Sequence, residues 1–316
     1  MSKFVFASDP EQPPPGLRSA VYAIGNFDGV HLGHQAVIQR TVALAKSRGV
    51  ASAVLTFEPH PADHFAGQRV VFRLTPLKAK LELFKTLELD GAVAISFNAK
   101  LAALAAEEFV TDVLIRRLQI SAVVVGWDFH FGRGRSGDPA FLTNAGARHG
   151  FAVTIIPRVE EYRGDSTAVI SSTAVRRALE LGDLDGASRI LGRRYSVCGI
   201  VIAGRQLGRE LGVPTANIAL ERTNLLAHGV YAVWVHFDGR RLPGVASYGV
   251  RPAVDNGPPL LEVHLLDFSG DLYGQALRVE LVSRIRDERN FESLSALTAE
   301  MNRDKQRARD ILRDAR

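Results

Sequence analysis

The stretch "YAIGNFDGVHLGHQAV", residues 22–37, carries the pattern that decides the N-terminal fold. An apolar run stops at Gly25-Asn26-Phe27-Asp28-Gly29, and His31 and His34 follow across Leu32-Gly33, where a helix is expected to start. Strand, glycine turn and helix in that order leave unpaired backbone N–H groups at the strand's C-terminal end, which suits an anion. Gly33 keeps the backbone there unobstructed. Two imidazoles at that place can donate to phosphate oxygens whose charge grows during nucleotidyl transfer, which is electrostatic rather than nucleophilic help. One such histidine alone could simply cap a helix. Two, flanking a glycine, favour phosphate.

Outward from this stretch, "AVYAIG", "ASAVLTF", "GAVAISF", "SAVVVG" and "FAVTIIP" read as five buried strands. Helical patterns lie between them at 34–48, 76–88, 105–118 and 138–148. Continuous apolar strands separated by helices predict an α/β domain whose parallel sheet is covered on both faces. Ligands of such sheets gather beyond the strands' C-terminal ends. That rim holds Gly25 to His34, Phe57 to His60 and Gly126 to Gly134. "ISSTAVR", 170–176, adds the hydroxyls of Ser171, Ser172 and Thr173 at a helix start, with Arg176 one turn inside. "GWDFHFGRGRSGD", 126–138, adds Arg133 and Arg135 on a glycine-rich loop, with rings at Phe129 and Phe131. An ordinary N-cap is the plainer reading of Ser171 or Ser172, and a solvated loop that of the two arginines.

After a boundary near Arg189 to Arg194 the rhythm changes. "YSVCGIVIAG", "GVYAVWVHFDG", "LPGVASYGV", "LLEVHLLDF" and "ALRVELVSRI" follow one another without long helices, broken by turn signals at Asp238-Gly239, Asn256-Gly257-Pro258 and Ser269-Gly270. An antiparallel barrel or sandwich is expected. The tail from Ser293 to Arg313 reads as an amphipathic helix with Leu294, Leu297 and Met301 as its inward stripe.

Composition narrows the classes. Hydrophobic residues are 46% and charged residues 23% of 316, which is globular. The net charge of +5 comes without a basic cluster interleaved with aromatics, so no nucleic-acid partner is expected; small anionic substrates suit it. Cys198 is the only cysteine, which excludes an intrachain disulfide and a Cys-based zinc set. No signal peptide and no membrane span are read in the sequence, so a cytoplasmic protein is expected. The oligomeric state stays open.

Over nearly its whole length the chain resembles the bacterial bifunctional riboflavin kinase/FAD synthetase (FMN adenylyltransferase) family. The resemblance rests on GNFDGVHLGH at 25–34, TFEPHP at 56–61, VVGWDFHFGRGRSGD at 124–138, ISSTxxR at 170–176, LGVPTANI at 211–218, PGVASYGVRP at 243–252 and LEVHLLDFSGDLYG at 261–274. It implies a Rossmann-like nucleotidyltransferase domain over 1–190 and a β-barrel riboflavin kinase domain over 191–316. ATP, riboflavin, FMN and FAD are the implied substrates and products, with Mg²⁺ in both domains. It assigns His31 and His34 to catalysis. Gly25, Asn26, Phe27, Asp28, Gly33, Asp128, Phe129, Arg133, Arg135, Ser171, Ser172, Thr173 and Arg176 are assigned to nucleotide binding. Val169 and Ala174 stand where the family often has a polar or basic residue and an arginine.

"GRQLGRELGVPTANIAL", 204–220, is not a Walker A loop, since no Gly-Lys-Ser/Thr follows. Gly204, Gly208 and Gly212 nonetheless give a backbone able to wrap phosphates, followed by a hydroxyl and an amide suited to a hard cation. The resemblance makes Thr215 and Asn217 the metal-side residues and Glu262 the base for the ribityl hydroxyl. Strand alternation by itself would put Glu262 on a solvated barrel face. Two further readings stay open: a chain that keeps one activity, and a flavin- or nucleotide-binding regulator whose chemistry has lapsed.

Overall fold

A computed structural model describes residues 3–163, 166–203, 215–249 and 259–315. The chain divides into two compact units, Met1–Ser172 and Thr173–Arg316.

The first unit holds a six-stranded sheet in the order β1-β4-β3-β2-β5-β6. Its strands are β1 (Val5–Ser8), β2 (Val21–Ile24), β3 (Ser52–Glu58), β4 (Gly91–Ser96), β5 (Ala122–Gly126) and β6 (Ala152–Ile156), and all neighbours run parallel. The sequence reading has five of these and lacks β1. A four-residue strand, "VFAS", next to a proline-rich stretch carries too short a pattern to stand out. Side chains alternate along β2, so Tyr22 and Ile24 enter one apolar layer with Leu55, Val93 and Leu114, while Val21 and Ala23 enter the other with Val54, Ile38 and Phe84. Both faces are therefore buried, which explains the continuous apolar runs.

The helices of this unit are α1 (Leu32–Arg48), α2 (Pro61–Ala66), α3 (Leu77–Thr86), α4 (Ala99–Ala103), α5 (Ala106–Glu108) and α6 (Pro139–His149). The expected 105–118 helix is wound differently: after α5 it continues as a π-helix, Phe109–Arg117. Its Phe109, Val110, Val113 and Leu114 are buried against the sheet. The strand order reverses between β2 and β5, so the crevice past their C-terminal ends is a topological switch point. A hairpin of β7 (Glu160–Arg163) and β8 (Ser166–Val169) follows the sheet.

The second unit begins with α7 (Ser172–Glu180) and α8 (Leu184–Leu191), the latter capped by Asp183, which accepts from the Gly186 N–H at 2.8 Å. A closed antiparallel barrel follows, in the order β10-β13-β12-β11-β14-β9. It comprises β9 (Ser196–Ile202), β10 (Ala216–Ala219), β11 (Gly229–Phe237), β12 (Arg240–Gly249), β13 (Leu260–Leu265) and β14 (Ala276–Arg286). Strand β10 is the one absent from the sequence reading. The Asp238-Gly239 turn is as read: both residues have positive φ, 49° and 70°, as a type I′ hairpin requires. Asn256-Gly257-Pro258 lies outside the described residues.

The terminal helix, α9 (Leu294–Asp314), starts at Ser293, whose hydroxyl accepts from the Ala296 N–H. Of the expected inward stripe, Leu297 and Met301 are half-buried, while Leu294 is 61% exposed. Glu300, Asp304, Ala308 and Leu312 face inward. The acids are tolerated because arginines meet them: Arg286 grips Asp304 through Nε and Nη2 at 2.8–3.1 Å, and Arg289 and Arg303 pair with Glu300. Ala308 and Leu312 pack on Ala232, Trp234 and Leu266.

Candidate functional site

At the C-terminal end of β2 the backbone makes a strained turn. Phe27, Gly29 and Val30 all have positive φ, at 49°, 84° and 43°. Such angles are costly for phenylalanine and more so for a β-branched valine. The turn delivers His31 to the N-cap of α1, where Nδ1 accepts the His34 N–H at 3.3 Å. One histidine therefore does cap a helix. Because Nδ1 accepts, the proton of the neutral ring belongs on Nε2, which leaves that nitrogen a donor. The two imidazoles lie face to face, centroids 3.6 Å apart and planes 17° from parallel. Gly33 makes this possible: a Cβ there would come within 3.1–3.2 Å of the His31 ring.

Other expected residues gather around this turn. Ser172 Oγ donates to the Asp28 carbonyl at 2.8 Å, so the start of the ISST motif meets the GNFDG motif. Ser171 immediately precedes it. Thr173 and Arg176 continue along α7 in the second unit. Gly25 ends β2 by donating to Leu55 O, and a Cβ there would lie 3.3 Å from the Phe27 ring. Beyond β5, Asp128 is exposed and Phe129 half-buried, while Arg133 and Arg135 stand exposed on a 3₁₀ turn. That matches the solvent-facing loop of the sequence reading. Phe131 is not a free platform: it is buried against Phe109 and Phe141 and stacks on Phe129 at 5.4 Å.

Two expected nucleotide contacts turn inward instead. Phe27 is 1% exposed and packs edge-on to Phe84 and His34. Asp28 is 2% exposed, and its carboxylate accepts the N–H groups of Leu74 and Thr75 at 3.2 and 3.0 Å. Their side chains hold the turn from within, since a buried carboxylate is stable only when such donors reach it. Val169 is exposed at the end of β8.

The sequence reading missed Lys80. It is 1% exposed on α3, and its ammonium donates to the Asn26 carbonyl at 2.8 Å and to Glu58 Oε1 at 3.2 Å. Burial pushes the lysine below its ordinary pKa, partly offset by the Glu58 charge. Burial would raise Glu58, but Arg73, bonded at 2.5 and 2.6 Å, and Lys80 outweigh it and hold the carboxylate below its ordinary value. A signal for Lys80 was available: Leu77, Lys80, Leu81 and Phe84 fall on one helical stripe, and a lysine on an apolar stripe invites a search for its partner.

In the barrel, Thr215 is half-buried just before β10, and Asn217 is 6% exposed within it. Asn217 pairs in register with Glu262 of β13, and Glu262 with Ser247 of β12. Register partners send side chains to the same face, so amide, carboxylate and hydroxyl form one row across three strands. Glu262 is exposed, as strand alternation suggested, yet it stands beside the buried Asn217. A second carboxylate joins them from the segment after β14: the Glu288 side chain lies directly over Gly249, where a Cβ would make it move. Burial raises its pKa, the Glu262 charge raises it further, and His228 opposes both. Glu288 lies in the RIRDERNF stretch, 284–291, which continues from β14. Gly204, Gly208 and Gly212 lie outside the described residues.

Comparison with known proteins bears on both units. A family model described as FAD synthetase matches residues 14–174, and one described as riboflavin kinase matches 191–312. The bifunctional riboflavin kinase/FMN adenylyltransferase of Pseudomonas fluorescens is 44% identical over 298 residues, covering 94% of each chain. That of Escherichia coli (strain K12) is 42% identical over 292 residues, covering 92% of each. A solved structure titled as a macrolide-efflux protein from Streptococcus pneumoniae superposes with a TM-score of 0.83 at 27% identity, covering 97% of this chain and 99% of its own. No helix among the described residues is long and apolar enough to cross a membrane. Two family models in succession and end-to-end relatives lead to one assignment: the chain belongs to the bifunctional riboflavin kinase/FMN adenylyltransferase family.

Proposed function

We propose that the protein phosphorylates riboflavin to FMN with ATP and then transfers AMP from a second ATP to FMN, giving FAD and pyrophosphate. The observation that carries this reading is the pair of sites, one at the switch point of the parallel sheet and one across β10, β13 and β12 of the barrel. We assign AMP transfer to residues 1–190 and riboflavin phosphorylation to 191–316.

In the first domain an FMN phosphate oxygen attacks the α-phosphorus of ATP, in line with departing pyrophosphate. His31 and His34 donate to oxygens on which charge develops, so they act on the transition state more than on bound ATP. Backbone N–H groups at the start of α1 add to that field. Gly25, Asn26, Ser171 and Ser172 shape the nucleotide site, with Thr173 and Arg176 as further candidates of the same motif. Asp128, Phe129, Arg133 and Arg135 are the candidates for the flavin nucleotide.

In the second domain Glu262 takes the proton of the ribityl hydroxyl as its oxygen attacks the γ-phosphorus and ADP leaves. Glu288 lies within electrostatic reach of Glu262 and adds a second carboxylate at that place. Thr215 and Asn217 offer oxygen donors that fit Mg²⁺, which commonly takes one or two protein ligands beside water and phosphate. When bound, the ion would neutralise phosphate charge. A cytoplasmic location suits an ATP-consuming chain with one cysteine.

The test is incubation with riboflavin, ATP and Mg²⁺, with riboflavin, FMN and FAD separated over time. FMN should appear first and FAD should follow. FMN without FAD would leave only the kinase, and neither product would remove both assignments.

A further inference from the structure

We propose that Lys80 is a positioning residue for AMP transfer: its buried ammonium fixes the strained 25–30 turn that presents His31 and His34. The inference rests on the reading of those histidines given above.

The turn carries two non-glycine residues at positive φ, and such a conformation persists only where its surroundings over-determine it. The surroundings do so from several directions. Lys80 Nζ and Thr56 Oγ1 both donate to the Asn26 carbonyl, at 2.8 and 3.2 Å. The N–H groups of Leu74 and Thr75 hold the Asp28 carboxylate, and Ser172 Oγ holds the Asp28 carbonyl. Phe27 is anchored on Phe84, one turn along α3 from Lys80. Lys80 brings a charged donor directly to the turn's backbone, and Glu58 with Arg73 secures it from the other side.

A charged amine this deeply buried needs partners to be stable, so its placement is a costly feature of the fold. A neutral apolar side chain would fill α3's stripe equally well. What the ammonium adds is a donor to Asn26 O and a tie from that carbonyl to Glu58 at the end of β3. Loosening it would let the turn relax, and the His31 cap with it. A misplacement of about 1 Å in such a constellation costs on the order of 10²-fold in rate.

The experiment uses the full chain and three variants: Lys80→Met, which keeps the stem's volume; Thr56→Val, nearly isosteric on a central strand; and His34→Ala. Rates of FMN adenylylation are taken per folded molecule, with ATP KM and riboflavin phosphorylation measured in the same preparations. Lys80→Met should lower the adenylylation kcat at least tenfold with ATP KM changed less than threefold and phosphorylation unchanged. Thr56→Val should lower kcat about threefold to tenfold, and it decides the matter if Lys80→Met does not fold. Combining either variant with His34→Ala should cost less than the product of the two single losses, because both act in part through one geometry. A normal kcat per folded molecule in both single variants, or fully multiplicative losses in the doubles, would overturn the positioning role. A normal rate in His34→Ala would instead overturn the histidine reading on which it rests.

Discussion

Asn217 and Glu262, separated by a long stretch of sequence, are direct register partners on neighbouring antiparallel strands of the barrel. The pairing puts a buried amide beside an exposed carboxylate on one face, the two side chains proposed above as metal-side residue and base. Glu262→Gln keeps the shape and removes the proton acceptor. It should abolish most FMN formation, by about 10²-fold, while FMN-to-FAD conversion stays near wild type. Unchanged phosphorylation in the purified variant would take the base role from Glu262.

Thr215→Ala removes a hydroxyl and little volume just before β10. Riboflavin phosphorylation should then need several-fold more Mg²⁺ for half-maximal rate, with the unfolding temperature little changed. A Mg²⁺ titration that overlays the wild type would exclude a metal-side role.

His31→Ala and His34→Ala should each lower FAD formation by about 10²-fold or more, in line with roughly 3 kcal/mol for a lost oxyanion-type donor. His31→Ala should also destabilise the domain by about 1 kcal/mol, since it removes the α1 cap. His34→Ala should not carry that cost. Nucleotide affinity and phosphorylation, measured on the same samples, should change much less. Near-normal adenylylation in both would reduce the pair to a structural cap.

Gly33→Ala separates stability from function. A Cβ at this position meets the His31 ring at 3.1–3.2 Å, so the ring must shift by a few tenths of an ångström. Alanine is also the better helix former, by about 1 kcal/mol. The variant should unfold at the same or a higher temperature yet adenylate FMN about tenfold more slowly. A gain in stability with full activity would show that the ring's placement is not critical.

Glu58→Gln carries a pH signature. The folded carboxylate titrates below its ordinary value of 4.5, because Arg73 and Lys80 outweigh its burial. Its stabilisation is thus fully present above about pH 4.5 and is lost as the pH falls through the lower folded value. Calorimetry should find the variant less stable than wild type at pH 7, by about 1–2 kcal/mol, with the gap closing on acidification. A gap that stays constant with pH would mean that Glu58 acts by shape alone.

The sequence by itself determined the two-sided parallel sheet, the antiparallel pairing of the second half and the motif-bearing rim, while closure into a barrel came from the tertiary structure. Long apolar runs between helical stripes can be satisfied only by a two-sided parallel sheet, and closely spaced strands with an Asp238-Gly239 turn only by antiparallel pairing. The His31/His34 pair was legible because its partners are local: cap, glycine and helix start lie within four residues. The tertiary structure decided what depends on distant partners. Strands β1 and β10, four residues each, owe their state to ladders with β4, β9 and β13 rather than to any pattern of their own. Lys80, Asp28, Glu300 and Asp304 look like surface charges until Asn26 and Glu58, the 74–75 backbone, or the arginines near α9 are brought to them. A charge is buried only where the fold supplies its counterpart, and for Lys80, Asp28 and Asp304 a counterpart comes from another element of the fold.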